Sequence, residues 1–399
     1  MSPLERLWWL LGIIWSFFAG VWWFVVPVIL FGVLSNLWIL YLKTRKLHAI
    51  NWSLLEIHVP REILRTPKAM EQIFAALNAI DSDISFTDKW WKGKTIEWLS
   101  FEMVGVAHGV HFFIRVPANY RNLLEAAIYA QYPGAEIREL ADDYTELVPA
   151  HLPNETYDLF GASLKLKKDE VYPIRTYPYF EDIDEDKRLD PLAAITEVMS
   201  GLKEGEIIWF QLLVRPTDRN PKDMVKKAIE EIVGKKKIME TGEEVSAGLM
   251  SVTPLQRDVI KAIEEKTAKL LFETCIRYLY IDHRASFTRS NAAAVYGAIQ
   301  QFNTKNMNSL GANSKALTIA KWPFWKQRRL HMRKRKLFNA YKKRWFADGS
   351  KVSPWAQGFL MNTEELATIY HFPISVVAAP HLGRLETKKG SPPANLPIG

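Results

Sequence analysis

The chain has 399 residues, with 52 Lys+Arg against 44 Asp+Glu, 48% apolar residues and a single cysteine. At roughly 150 residues per domain it can build two or three cores, and its composition excludes a largely disordered chain. Cys275 alone allows no intramolecular disulfide and no multi-cysteine zinc or iron–sulfur site, which fits a reducing compartment.

From Leu7 to Leu42 there are 36 residues without a charge, and six of the 15 tryptophans fall in the first 42 positions. A bilayer span needs about 20 such residues. One helix over the whole run would reach about 54 Å, longer than the hydrocarbon layer. Gly20 and Pro27 offer break points, so two layouts arise. Either Leu7–Phe18 lies along the interface and Val21–Leu42 crosses, or two short helices form a hairpin. Trp22 and Trp23 at one end, with Trp38 and Tyr41 at the other, read as two interfacial belts and favour a single crossing. A cleaved signal peptide would have an apolar region of about 7–15 residues after a basic start, whereas here only Arg6 precedes the run. The basic exit at Lys43, Arg45 and Lys46 is a stop-transfer flank. It predicts a single-pass anchor in the inner (cytoplasmic) membrane, with residues 43–399 in the cytoplasm.

The remainder reads as α+β. Residues 52–59 alternate as a strand ended by Pro60, and Thr66-Pro67 caps a helix whose stripe is Met70, Ile73, Phe74, Leu77 and Ile80. Strands at Thr95–Val104 and Val110–Val116, a helix at Asn119–Tyr132 and a strand at Ala135–Leu140 complete a β-α-β-β-α-β order. That is the ferredoxin-like pattern, with both helices on one face of an antiparallel sheet. A looser second pass follows. Leu159–Leu166, Glu206–Val214 and Glu273–Ile281 are strands; helices start at Asp190-Pro191 and Thr253-Pro254, and another spans Arg289–Asn303. Asn220-Pro221 opens a charged helix, and Lys235–Gly248 reads as an exposed insertion. Near the C-terminus Asn362 and Glu365 form a capping box for a helix over Glu364–Tyr370, followed by a strand at Ile374–Ala379 and a Pro-rich end. The expected divisions are an anchor (1–43), a ferredoxin-like unit (44–150), a second α+β unit (151–310), a basic segment (311–349) and a C-terminal linker region (350–399).

No catalytic or cofactor motif qualifies. Gly93-Lys94-Thr95 has Asp88 where a phosphate loop needs its leading glycine, and it precedes a strand. Asp182, Asp184 and Asp186 begin like a calcium loop, but Lys187 and Ala193 stand at the glycine and glutamate positions. His108 and His111, three apart on a hairpin, point to opposite faces. Cys275 sits in an apolar strand with no activating base. The expectation is a non-enzyme without cofactor or metal.

One constellation stands out. Lys321, Lys326, Arg328, Arg329, Arg333, Lys334, Arg335, Lys336, Lys342, Lys343 and Arg344 give 11 cations and no acid between Lys321 and Phe346. Without them the net charge of +8 becomes −3, so the basic character is local. As a helix, Arg328–Trp345 would align Leu330, Leu337, Phe338, Tyr341 and Trp345, preceded by Trp322, Phe324 and Trp325. Three readings compete: a charged helix packed on its own domain, a membrane-surface helix on anionic headgroups, and a nucleic-acid site with aromatic stacking.

Further elements carry a resemblance. These are Leu55–Ile63, Arg65–Gln72, Ile263-Glu264-Glu265-Lys266 leading into the Phe272–Tyr280 strand, Gln301-Phe302-Asn303, Tyr370-His371-Phe372-Pro373 and Pro392–Gly399. In this order the chain resembles the membrane-anchored N-terminal region of type IV secretion or conjugation-like motor ATPases. The resemblance implies a docking component in macromolecule translocation; either the motor is a separate P-loop ATPase, or the chain is a stand-alone relative or a fragment. No Walker motif is present, so nucleotide and magnesium binding pass to no residue here. The alternative is a membrane-tethered adaptor that binds nucleic acid or anionic lipid through residues 321–345.

Overall fold

The computed structural model describes residues 3–60, 65–80, 87, 88, 91, 96–107, 109–181, 189–217, 219–233, 253–320, 323–346 and 353–373. Outside them lie Gly93-Lys94-Thr95, His108, Asp182–Asp186, Lys235–Gly248, Lys321, the strand expected at Ile374–Ala379 and the Pro-rich end. The chain forms two units, Met1–Asn51 with Asp83–Thr95, and Trp52–Ser82 with Ile96–Gly399.

The first unit holds α1, Pro3–His48, which is continuous through Gly20 and Pro27 and does not break into a hairpin. Its Trp22–His48 portion, 27 residues whose most apolar 18-residue window has mean hydropathy 2.2, is long and apolar enough to cross a membrane. Trp22, Trp23, Trp38 and Tyr41 are all exposed. The polar side chains along it bond inward: Ser35 Oγ donates to the Phe31 carbonyl, Asn36 Nδ2 to Gly32 and Thr44 Oγ1 to Leu40, each at 2.7 Å. Such back-bonding satisfies polar atoms without water, as a hydrocarbon environment requires. Arg45, Lys46 and His48 occupy the last turn, where cations complement the carbonyl end of the helix. Lys43 lies one turn before that end.

The second unit is mixed α+β around a nine-stranded antiparallel sheet. Its strands are β1 Trp52–His58, β2 Leu99–Val106, β3 Gly109–Pro117, β4 Glu136–Glu139, β5 Tyr157–Leu166, β6 Ile207–Pro216, β7 Leu271–His283, β8 Leu310–Ala312 and β9 Phe359–Asn362. Eight run in the order β4-β1-β3-β2-β6-β7-β5-β8, and β9 pairs with β7. The expected four strands of residues 52–140 are present, but they do not close as a free-standing unit. β2 is not an edge: Leu99–Gly105 pairs with Val214–Ile208 of β6, carrying the sheet across the expected boundary at residue 150. The order is also a palindrome, since β8-β5-β7-β6 repeats the pattern of β4-β1-β3-β2.

Helices cover both faces. Helices α2 (Lys68–Leu77), α3 (Arg121–Gln131), α4 (Ala193–Ser200), α7 (Arg289–Ile299) and α9 (Thr363–Ile369) contribute to the main core with Leu55, Phe101, Ile114, Phe210 and Tyr278. α5 (Lys222–Val233) and α6 (Pro254–Ala268) share a satellite core around Ala228 and Ile263. α8 (Lys326–Lys342) lies on the opposite face, against Leu54, Val104, Trp209 and Leu279. Burial on both faces explains why β2 and β6 read as continuous apolar runs. Three of the four proline-marked helix starts carry a side-chain bond to the first turn, whereas α2 does not: Pro67 is already helical there and Thr66 supplies no side-chain cap. Thr253 and Gln256 form a capping box, Asp190 Oδ1 accepts from Leu192 N at 2.6 Å, and Asn220 Oδ1 accepts from Lys222 N at 3.0 Å. Asn362 and Glu365 form the expected box at α9.

Candidate polyanion-binding surface

The sequence from Lys326 to Lys342 has neither glycine, proline nor acid and forms one 17-residue helix. Leu337, Phe338 and Tyr341 face the sheet, where the Phe338 and Tyr341 rings stack on Trp209 at 6.2 and 5.2 Å between centroids. This places the first of the three readings, a stripe packed on its own domain, at the C-terminal half of the helix. Leu330 is half-buried, and Trp345 leaves the expected stripe for solvent. The reason is the helix stop. Arg344 takes the left-handed conformation, φ 48, while its N–H bonds Tyr341 O and that of Trp345 bonds Ala340 O. This is a Schellman closure with arginine in the place that glycine usually fills.

Arg344 stands there because of what lies beneath it. Its Nε and Nη2 donate to Glu102 at 2.8 and 2.9 Å, and both guanidinium ends reach Asp143. Glu102 is fully buried and also accepts from Tyr144 Oη at 2.6 Å, Gln211 Nε2 at 2.9 Å and Ser100. Burial works against its charge, but Arg344 outweighs it and holds the carboxyl below its ordinary range. Strand register builds the rest. Glu56, Phe113, Glu102, Gln211 and Arg277 lie opposite one another on β1, β3, β2, β6 and β7, a mostly polar row across an otherwise apolar sheet. Arg277, also buried, donates to Gln211 Oε1 at 2.7 Å and to the Ala340, Trp345 and Trp355 carbonyls. This network fastens the end of α8 to the sheet.

The row's β1 end gives a pH test. Burial disfavours the Glu56 carboxylate, but His111 at 2.8 Å and His58 at 3.3 Å more than offset that, lowering its pKa from 4.5 to about 2. A lowered folded value means that the ionised group stabilises the fold above about 4.5 and that this is lost as the pH falls to about 2. Glu56→Gln should therefore flatten the loss of stability between those pH values, as followed by acid unfolding of the full chain in detergent. An unchanged acid limb would show that the histidines do not hold the carboxylate.

The 11 cations thus divide. Arg344 and Lys334 face inward, so these two of the candidate polyanion-binding cations are spent inside the fold. Lys334 Nζ meets Asp158 Oδ1 at 2.6 Å, since an amphipathic helix lying on a sheet turns some charged positions toward it. Arg333 Nη1 donates to the carbonyls of Ser314, Leu317 and Ile319, and half-exposed Lys342 reaches Thr145 O. Lys326, Arg328, Arg329, Arg335, Lys336 and Lys343 are exposed. With them stand Trp325 at 72% exposure, Phe324 at 68%, Met332 at 46% and Trp345 at 45%. Sequence reading missed Glu102, Gln211 and Arg277. Their signal was present: each is the one charged or amide residue within an apolar run of its strand, Phe101–Val106, Ile207–Val214 and Cys275–Ile281.

A family model described as a domain of unknown function, DUF8128, matches residues 49–382. The chain belongs to this family. No curated protein matches the sequence. The DUF8128 region starts directly after α1, so it takes in the sheet, α8 and the buried polar row but not the apolar helix.

Proposed function

We propose that this protein is a membrane-anchored, non-catalytic docking module whose DUF8128 region is held at the cytoplasmic face of a bilayer by α1. The observation that carries this reading is the Trp22–His48 portion of α1. Its apolar side chains stand exposed, only 6% of its most apolar window is buried, and its polar groups bond within the helix. An exposed surface of that composition has no favourable place in water. The cations Arg45 and Lys46 at its C-terminal end support the cytoplasmic assignment. Following the resemblance to secretion-type motors, the docked partner is a separate P-loop ATPase. The strand orders β4-β1-β3-β2 and β8-β5-β7-β6 support reading the module as two ferredoxin-like halves fused through β2 and β6.

The expected result is that the full chain stays in the membrane pellet through alkaline carbonate extraction, while a chain with Leu30, Phe31, Leu34 and Leu37 changed to Lys does not. Four cations at mid-span cost about 2.5–3.5 kcal/mol each on insertion, enough to abolish it. Release of the unaltered chain by carbonate would overturn the anchor. Co-purification of an ATPase in detergent at high salt tests the docking role, and its failure there would leave an anchor without that partner.

A further inference from the structure

We propose that the outward face of α8 lies on an anionic bilayer surface, so that the module docks flat with this helix between its sheet and the headgroups. The proposal rests on the anchored reading above and deepens it by naming what the basic surface meets. Arg328, Arg329, Met332, Arg335, Lys336 and Lys343 fall on the side of the helix opposite Leu337, Phe338 and Tyr341, and all six are exposed.

Among the described residues no carboxylate pairs with the cations of this face; Arg328 and Lys336 lie over the Trp325 and Trp355 rings at 5.8 and 5.0 Å. No acidic residue occurs between Lys321 and Phe346. The carboxylates that do reach the helix and its stop, Asp158, Asp143 and Glu102, are taken by the inward-facing Lys334 and Arg344. What remains outward is cationic and aromatic. Trp325 precedes the helix and Trp345 follows it, about 30 Å apart along the axis, and both are exposed. Tryptophan at headgroup depth with Lys and Arg beside it is the composition that an anionic interface favours.

Chain connection favours the same face. α1 ends at His48 and β1 begins at Trp52, and four Cα steps span at most about 14 Å. A bilayer that holds α1 therefore keeps the Trp52 end of the sheet near it. The Trp52 ring lies 5.5 Å from Trp98, whose ring lies 6.3 Å from Phe346 and whose Nε1 donates to Arg344 O. The start of β1 and the end of α8 thus share one corner of one face. Anchoring raises the local concentration of lipid at that corner, and each exposed cation along the helix adds to the attraction. A nucleic acid would gain nothing from this arrangement.

The test uses the full chain in nanodiscs of phosphatidylcholine alone or with phosphatidylglycerol, both carrying nitroxide-labelled lipid. A fluorophore is attached at Met332→Cys, and in a separate chain at Glu197→Cys, an exposed site on α4; native Cys275 is buried. The expected result is quenching at position 332 at least about twofold greater in anionic than in neutral discs, and lost at high salt. Position 197 should not respond. Arg328, Arg329, Arg335 and Lys336 changed together to Gln should return the anionic value to the neutral one. Equal quenching of position 332 in both discs would overturn the proposal, as would a response to duplex DNA that leaves lipid quenching unchanged. If the chain fails to elute with either disc, the anchor itself has failed, and that result is read separately from the quenching.

Discussion

Arg344→Met is expected to destabilise the module by about 3–5 kcal/mol, the cost of stranding one member of a buried ion pair. The carboxylate left behind, Glu102, is fully buried, and its remaining donors, Tyr144, Gln211 and Ser100, are neutral. Arg344→Gly should lose less. Glycine relieves the left-handed backbone at φ 48, a gain of about 1 kcal/mol, while losing the same guanidinium. Glu102→Gln combined with Arg344→Met should recover much of the single loss, because the fully buried unpaired charge is then removed and only half-buried Asp143 is left without its partner. Urea unfolding of the full chain in detergent reads all three. Should Arg344→Met be as stable as the unaltered chain, the ion pair would contribute nothing and α8 would be held by its apolar stripe alone.

Phe74→Ala is expected to cost about 3–5 kcal/mol by leaving a cavity in the main core. Phe74 is fully buried on α2, with its ring 4.9 Å from Phe101 of β2, which in turn stands 5.2 Å from Tyr370. A void there loosens α2, the central sheet and the end of α9 together, so little relaxation is available to fill it. Phe74→Leu should lose much less. A loss under about 1 kcal/mol for the alanine variant would show that the ring is not enclosed.

Local signals were legible where they act locally. The caps at Asp190, Asn220 and Thr253 need only a side-chain oxygen and the next turn of backbone, so residue type and spacing sufficed. The same holds for the apolar stripe of α2 and the uncharged run of α1. Distant pairing was not legible. β2 meets β6 across more than a hundred residues, and nothing in either strand names its partner. β8 and β9, with 3 and 4 residues, exist through the strands they pair with and have no periodicity of their own. The basic segment was read as a surface because cations usually are solvated. Its inward members could be recognised only by matching them to the lone Glu102 within β2 and to Asp158 at the start of β5, two carboxylates far away in sequence.

On the anchored reading proposed above, the two ends of the main strand order have a consequence for neighbouring copies. Among the described residues that order terminates in β4, Glu-Ile-Arg-Glu, and in the three-residue β8. β4 is also charged, with Arg138 paired to Glu136 and Arg121 to Glu139. Copies of an anchored protein diffuse in two dimensions and meet far more often than soluble ones, which makes a long bare edge strand hazardous. Edges this short and charged offer a neighbour almost no ladder to extend. On that reading neighbouring copies would crowd without zipping these two edges together, and a partner arriving at either edge would meet charged side chains and not a ladder to extend.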